Sequence, residues 1–205
     1  MQRCHRLLAL GFALSMIGPI AHAAQFTNAA NLSGASENPA TASPATGTTF
    51  ILLDTSSHSL QVQVVFSGLV AATTASHIHC CIAPPGNAGV ATAVPSFPGF
   101  PIGVTSGSYD QTFDTTQAST WNAAFVVSNG GTPLGAEAAL AAGLASGSAY
   151  LNVHTSTFPG GEIRGFLAPQ AATPAAVPTL SEWSAIGLVL SLLAAGWSML
   201  RRRAR

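Results

Sequence analysis

Lysine is absent from the 205 residues, and all seven basic side chains are arginine. Arg3, Arg6, Arg201, Arg202, Arg203 and Arg205 crowd the two ends, which leaves Arg164 as the sole base between Gln25 and Pro178. Against it stand Glu37, Asp54, Asp110, Asp114, Glu137 and Glu162, so this central body carries a net charge of −5. A body of that kind has no cationic stripe with which to displace counterions from phosphates, and nucleic acid is excluded as a partner. Charge of either sign is scarce, 7% of the chain against about 25% in ordinary globular domains. No nucleophile elbow, P-loop, dinucleotide fingerprint or H-E-x-x-H motif occurs, which removes the enzyme classes that depend on them.

What is present begins with two terminal signals. Arg3 and Arg6 precede an apolar run over 7–20 that closes on Ala21-His22-Ala23-Ala24. Basic start, apolar middle and small-residue end make 1–24 a secretory signal peptide, cleaved after Ala23 or Ala24. At the other end, 183–200 is an uncharged stretch followed by Arg-Arg-Arg-Ala-Arg. At about 1.5 Å per residue this stretch reaches about 27 Å as a helix, enough for a thin membrane core. The positive-inside rule holds the arginines in the cytoplasm and the body on the far side. Pro178-Thr179-Leu180-Ser181-Glu182-Trp183, preceded by Val177, resembles the IPTL-CTERM sorting signal, which has the same order of motif, hydrophobic helix and arginine-rich tail. That resemblance implies a Gram-negative envelope protein handled by an exosortase-like enzyme, with 179–205 as the sorting signal. An Ala/Pro/Thr linker over 169–178 separates it from the body.

Residues 25–168 are one domain's worth of chain. Leu60, Val62, Val64 and Phe66 alternate with polar or exposed-face neighbours, the mark of a half-buried antiparallel strand. A polar hairpin loop, 54–59, joins it to a β-branched run over 48–53. Further strands are expected at 27–33, 75–81, 104–112, 149–154 and 162–167. Five prolines make 84–101 a long surface loop. Thr132 and Pro133 start a helix over 134–144, with Gly147 beyond to stop it. A second helix over 115–127 is weaker, with Asp114 as its cap. The count of short strands predicts an all-β, immunoglobulin-like antiparallel sandwich with one or two short helices.

Four motifs in this body resemble the CHRD domain, the module repeated in chordin and common in secreted microbial proteins. They are Leu32-Ser33-Gly34-Ala35-Ser36-Glu37-Asn38-Pro39, Phe66-Ser67-Gly68-Leu69, Ser76-His77-Ile78-His79, and Asn152-Val153-His154-Thr155 together with Phe158 to Gly165. The resemblance implies an immunoglobulin-like sandwich acting as a non-catalytic binding or matrix-associated module. Where many members have Gly-Pro after the second histidine, this chain has Cys80-Cys81.

On a strand, residues two apart share a face, so His77 and His79 project together as a chelate. His154 lies on a late strand, on the face of Tyr150 and Asn152. If the two strands are neighbours, the three imidazoles suit copper or zinc; otherwise each is hydrogen-bonded at the sandwich rim. Copper/zinc superoxide dismutase is similar in the order of a Ser-Gly-Leu turn, an H-x-H strand, a late histidine and an arginine. Its fourth histidine and zinc loop are not recognisable, so a dismutase is not implied. Cys80 and Cys81 have three readings: a vicinal disulfide strained by the about 3.8 Å trans Cα spacing, buried thiols, or a thiolate ligand beside His79. Arg164 is either an anion contact or an ion pair to Glu37 or Asp54, with Glu162 as its same-face neighbour on the last strand.

Overall fold

The computed structural model describes residues 24–170 and, in the C-terminal segment, 187–190, 192, 193 and 197. The signal peptide, the sorting motif and most of the proposed membrane helix over 183–200 lie outside the described residues. Among the described residues, no helix is long and apolar enough to cross a membrane.

The body is mostly β. Its strands are β1 (Gln25–Ser33), β2 (Thr46–Asp54), β3 (Ser59–Ser67), β4 (Thr73–His79), β5 (Gly107–Asp114), β6 (Tyr150–Thr155), β7 (Ile163–Phe166) and β8 (Ala168–Pro169). They form one antiparallel sheet in the order β4-β6-β7-β1-β2-β3-β5, with β8 also paired to β1. The sheet curls around a single core to which nearly every strand contributes, including Leu32, Ile51, Val62, Phe66, Ile78, Leu151 and Ile163. The expected two separate sheets are therefore joined. A single register pair, Ser33 with Arg164, connects β1 to β7, and β8 adds Asn28–Pro169 and Ala29–Ala168. Alternation reveals which face of a strand is buried but not where hydrogen bonding continues around a bend, so the join was not visible in the pattern.

The β2–β3 hairpin falls where alternation places it, its register running from Thr46–Ser67 to Asp54–Ser59. Two elements differ from expectation. β4 ends at His79, which leaves Cys80 and Cys81 beyond the strand. The weaker helix is shorter, α1 (Ala123–Ser128), and its cap is Asn122, whose side chain accepts from the Ala124 N–H. Asp114 instead accepts from the Thr116 N–H and hydroxyl, an Asx turn that competes with helix initiation. The stronger helix, α2 (Pro133–Ser146), starts on the Thr132 side chain and stops at Gly147, left-handed at φ 66°.

Candidate metal centre

Antiparallel pairing of β4 with β6 sets His77 opposite Asn152, His79 opposite Tyr150 and Ala75 opposite His154. Side chains on one face of this pair therefore include both β4 histidines and His154. The ring centroids lie 5.1 Å apart for His77–His154, 5.9 Å for His77–His79 and 6.0 Å for His79–His154. One nitrogen of each ring falls in a group whose members all lie within 4.8 Å of one another. All three side chains are at least nine-tenths buried.

The remaining ring nitrogens each face a backbone carbonyl. His77 Nε2 lies 2.7 Å from the Pro95 oxygen, His79 Nδ1 2.9 Å from that of Ala88, and His154 Nδ1 2.9 Å from that of Pro159. A carbonyl oxygen only accepts, so each of these nitrogens carries the ring proton. In a neutral imidazole the other nitrogen then holds a bare lone pair. Those lone pairs belong to His77 Nδ1, His79 Nε2 and His154 Nε2. His77 Nδ1 and His154 Nε2 are 3.2 Å apart with no proton left to share, and His79 Nε2 is buried without a hydrogen-bond partner. Such an unsatisfied buried acceptor costs about 1–3 kcal/mol.

Protonation does not relieve this near neutral pH. Burial lowers the pKa of all three histidines, and His77 falls to about 4, where the Pro95 carbonyl opposes the shift and the neighbouring histidines add to it. The rings are thus neutral donors held in fixed tautomers by backbone carbonyls, the arrangement by which outer contacts orient metal-ligating histidines. Metal–nitrogen bonds of about 2.0–2.1 Å set three ligands around one ion about 3.3–3.6 Å apart, so a group whose members lie within 4.8 Å closes by at most about 1.5 Å on binding.

Cys80 and Cys81 are joined to each other in a disulfide across a cis peptide, Cα atoms 3.0 Å apart. The about 3.8 Å spacing expected for a trans bond does not apply. Their sulfurs pack on α2, near the Ala139 carbonyl, and not among the histidines. Arg164 is fully buried and ion-paired with Glu37 at 3.7 Å. Its other contacts are the carbonyls of Ser36 and Pro85 and the Asn87 side chain. Asp54 instead binds Gln25 and Ser56. Glu162 precedes β7 and turns elsewhere, accepting from Ser43 Oγ, the Val70 N–H and Thr155 Oγ1. Of the two partners expected for Arg164, Glu37 takes the role and Asp54 does not.

Sequence reasoning missed a second polar cluster. Glu137, buried on α2, accepts from Thr115 Oγ1 and faces His58 Nδ1 at 3.0 Å. Its signal was available: Glu137 is the only charged residue of α2. It also missed the place of Tyr150 beside the histidines. The Tyr150 ring stacks on His79 at 4.7 Å, its hydroxyl contacts Ala88, and the Arg164 guanidinium lies 4.8 Å from its ring centroid.

No curated protein and no solved structure matches the chain. The family model of the CHRD domain matches residues 29–167, a span that holds the curled sheet and all three histidines, and on that match the chain belongs to the CHRD-domain family.

Proposed function

We propose that this is an exported, envelope-anchored CHRD module that binds copper or zinc through His77, His79 and His154. One observation supports the metal most directly: three buried imidazoles, each with its ring proton held by a backbone carbonyl, bring one nitrogen apiece within 4.8 Å of the others. A cation is the partner that satisfies three lone pairs at once. Three neutral imidazoles suit both ions, and copper(II) is the tighter binder of the two on nitrogen sites. The terminal signals support the address, with an exosortase-like enzyme and the membrane as partners and an envelope or matrix component as the setting. The family membership and the histidine cluster support binding.

The test is metal analysis of the purified full-length protein followed by titration with copper(II) and zinc. One equivalent per chain is expected. Replacing His77, His79 or His154 by Gln should weaken binding beyond the about 10–100-fold typical of losing an outer contact. A protein that arrives without metal and takes up neither ion overturns the reading. Recovery of intact protein from cytosol, and not from the envelope fraction, overturns the address.

A further inference from the structure

Among the described residues, three buried side-chain atoms have no hydrogen-bond partner: His79 Nε2, Asn152 Oδ1 and Glu37 Oε1. They are neighbours. Pairing of β4 with β6 sets Asn152 directly opposite His77 and two residues along the strand from Tyr150, the partner of His79. Gly161 marks where Asn152 meets Glu37, for a Cβ there would lie 2.7 Å from Asn152 Nδ2 and closer still to Glu37 Oε1. Its φ of 128° also disfavours any side chain. Asn152 is only 1% exposed and Glu37 8%. Beside them opens a cleft of about 210 Å³, lined by Glu37, Asn38, Thr41, Phe158, Pro159 and Gly160 among others.

His79 Nε2 and Asn152 Oδ1 only accept, and Glu37 Oε1 accepts whenever its carboxyl is ionised, so a donor from outside the group satisfies them. A metal ion at the histidines satisfies the His79 lone pair and leaves two oxygens. A water molecule on that metal carries two O–H donors, made stronger by the metal's charge. Resting on the metal-binding reading above, we propose that the trihistidine metal keeps one coordination position open toward Asn152. There it holds an exchangeable water, steadied by Asn152 Oδ1 and Glu37 Oε1 and replaceable by a small anion. Asn152 and Glu37 are positioning residues: neither is needed to hold the metal, and both set what occupies its open side.

The experiment uses full-length protein loaded with copper(II), with azide as the probe. Water-proton relaxation reads the exchangeable water, and azide-to-copper charge-transfer absorption reads its replacement. The wild type should bind one copper, enhance water relaxation and take up azide. Asn152→Leu should still bind one copper, which shows that the fold and the histidines are intact, yet lose most of the relaxation enhancement and change azide affinity at least about tenfold. Asn152→Asp, which keeps an acceptor oxygen, should retain the enhancement. Glu37→Met provides a second variant of similar length that removes the acceptor oxygen, expected to shift azide affinity in the same sense as Asn152→Leu. Copper without exchangeable water or azide uptake in the wild type overturns this inference while leaving the metal site standing. Water and azide behaviour unchanged in both Asn152→Leu and Glu37→Met overturns the role of these residues. Failure to bind copper at all is failure of the underlying metal reading.

Discussion

An imidazole in water is half protonated near pH 6.5, and each histidine of this site titrates below that value because burial disfavours its charged form. The linkage has a definite sign. An unfolded chain takes up protons on these residues as pH falls below 6.5, while the folded chain refuses them until about pH 4 for His77. The stability they leave to the fold is therefore present above pH 6.5 and lost as pH falls through the folded values. Glu37 acts oppositely, since burial outweighs Arg164 and raises its pKa from 4.5 to about 7. Its contribution is present below pH 4.5 and lost as pH rises through about 7. Three histidines oppose one carboxyl in the shared window, so metal-free protein should lose stability on acidification from about pH 6.5 toward pH 4. Urea midpoints at neutral and mildly acid pH measure this, and the triple His→Gln variant should flatten the dependence. A midpoint that rises with acid in the unaltered protein would contradict the assignment of neutral, buried rings.

Helix α2 shows how packing reverses a local propensity. Replacing an interior helical glycine by alanine ordinarily gains about 0.8–1.0 kcal/mol. Gly143, however, is the surface on which the Cys80–Cys81 disulfide rests: a Cβ there would lie 2.7 Å from Cys81 Sγ and nearer still to Cys80 Sγ. Overpacking costs about 1–3 kcal/mol, the larger effect. Gly143→Ala should therefore lower stability, by up to about 2 kcal/mol once the propensity gain is set against the overpacking, in denaturant titration, and a raised midpoint would show that the disulfide yields. The same elements show what a sequence can reveal. Capping residues and period-2 alternation made α2 and the β2–β3 hairpin readable, because both signals are local. His77 and His79 were readable as a chelate for the same reason. His154 required the pairing of β4 with β6, which are separated by most of the domain, and the carbonyls of Ala88, Pro95 and Pro159 required loop conformations that no periodicity encodes. Glu162 shows the converse error: alternation was extended one residue past the start of β7, and the side chain turned to Ser43, Val70 and Thr155 instead.

Across the whole body, the histidine cluster sits at the weaker end of the sheet. The strands β1, β2, β3 and β5 pair over long registers, whereas β7 meets β1 through the single Ser33–Arg164 pair, and β4 meets only β6 in the ladder. His77 and His79 belong to β4 and His154 to β6, and the carbonyls that fix their rings come from the segments around Ala88, Pro95 and Pro159. A bound ion consequently cross-links the edge strand, its neighbour and two loops that the backbone ladder joins only sparsely. Metal that binds the folded chain alone stabilises it by about 2.7 kcal/mol at a free concentration 100 times Kd. For a domain of this size each kcal/mol moves Tm by about 2–4 °C, so the transition of full-length protein should rise by about 5–10 °C with copper(II) or zinc. Hydrogen exchange should slow most in β4, β6 and the segments around residues 88, 95 and 159, and His154→Gln should abolish both effects. Protection spread evenly over β2 and β3 instead, or a Tm shift that survives the His154 substitution, would place the ion somewhere other than between these three rings.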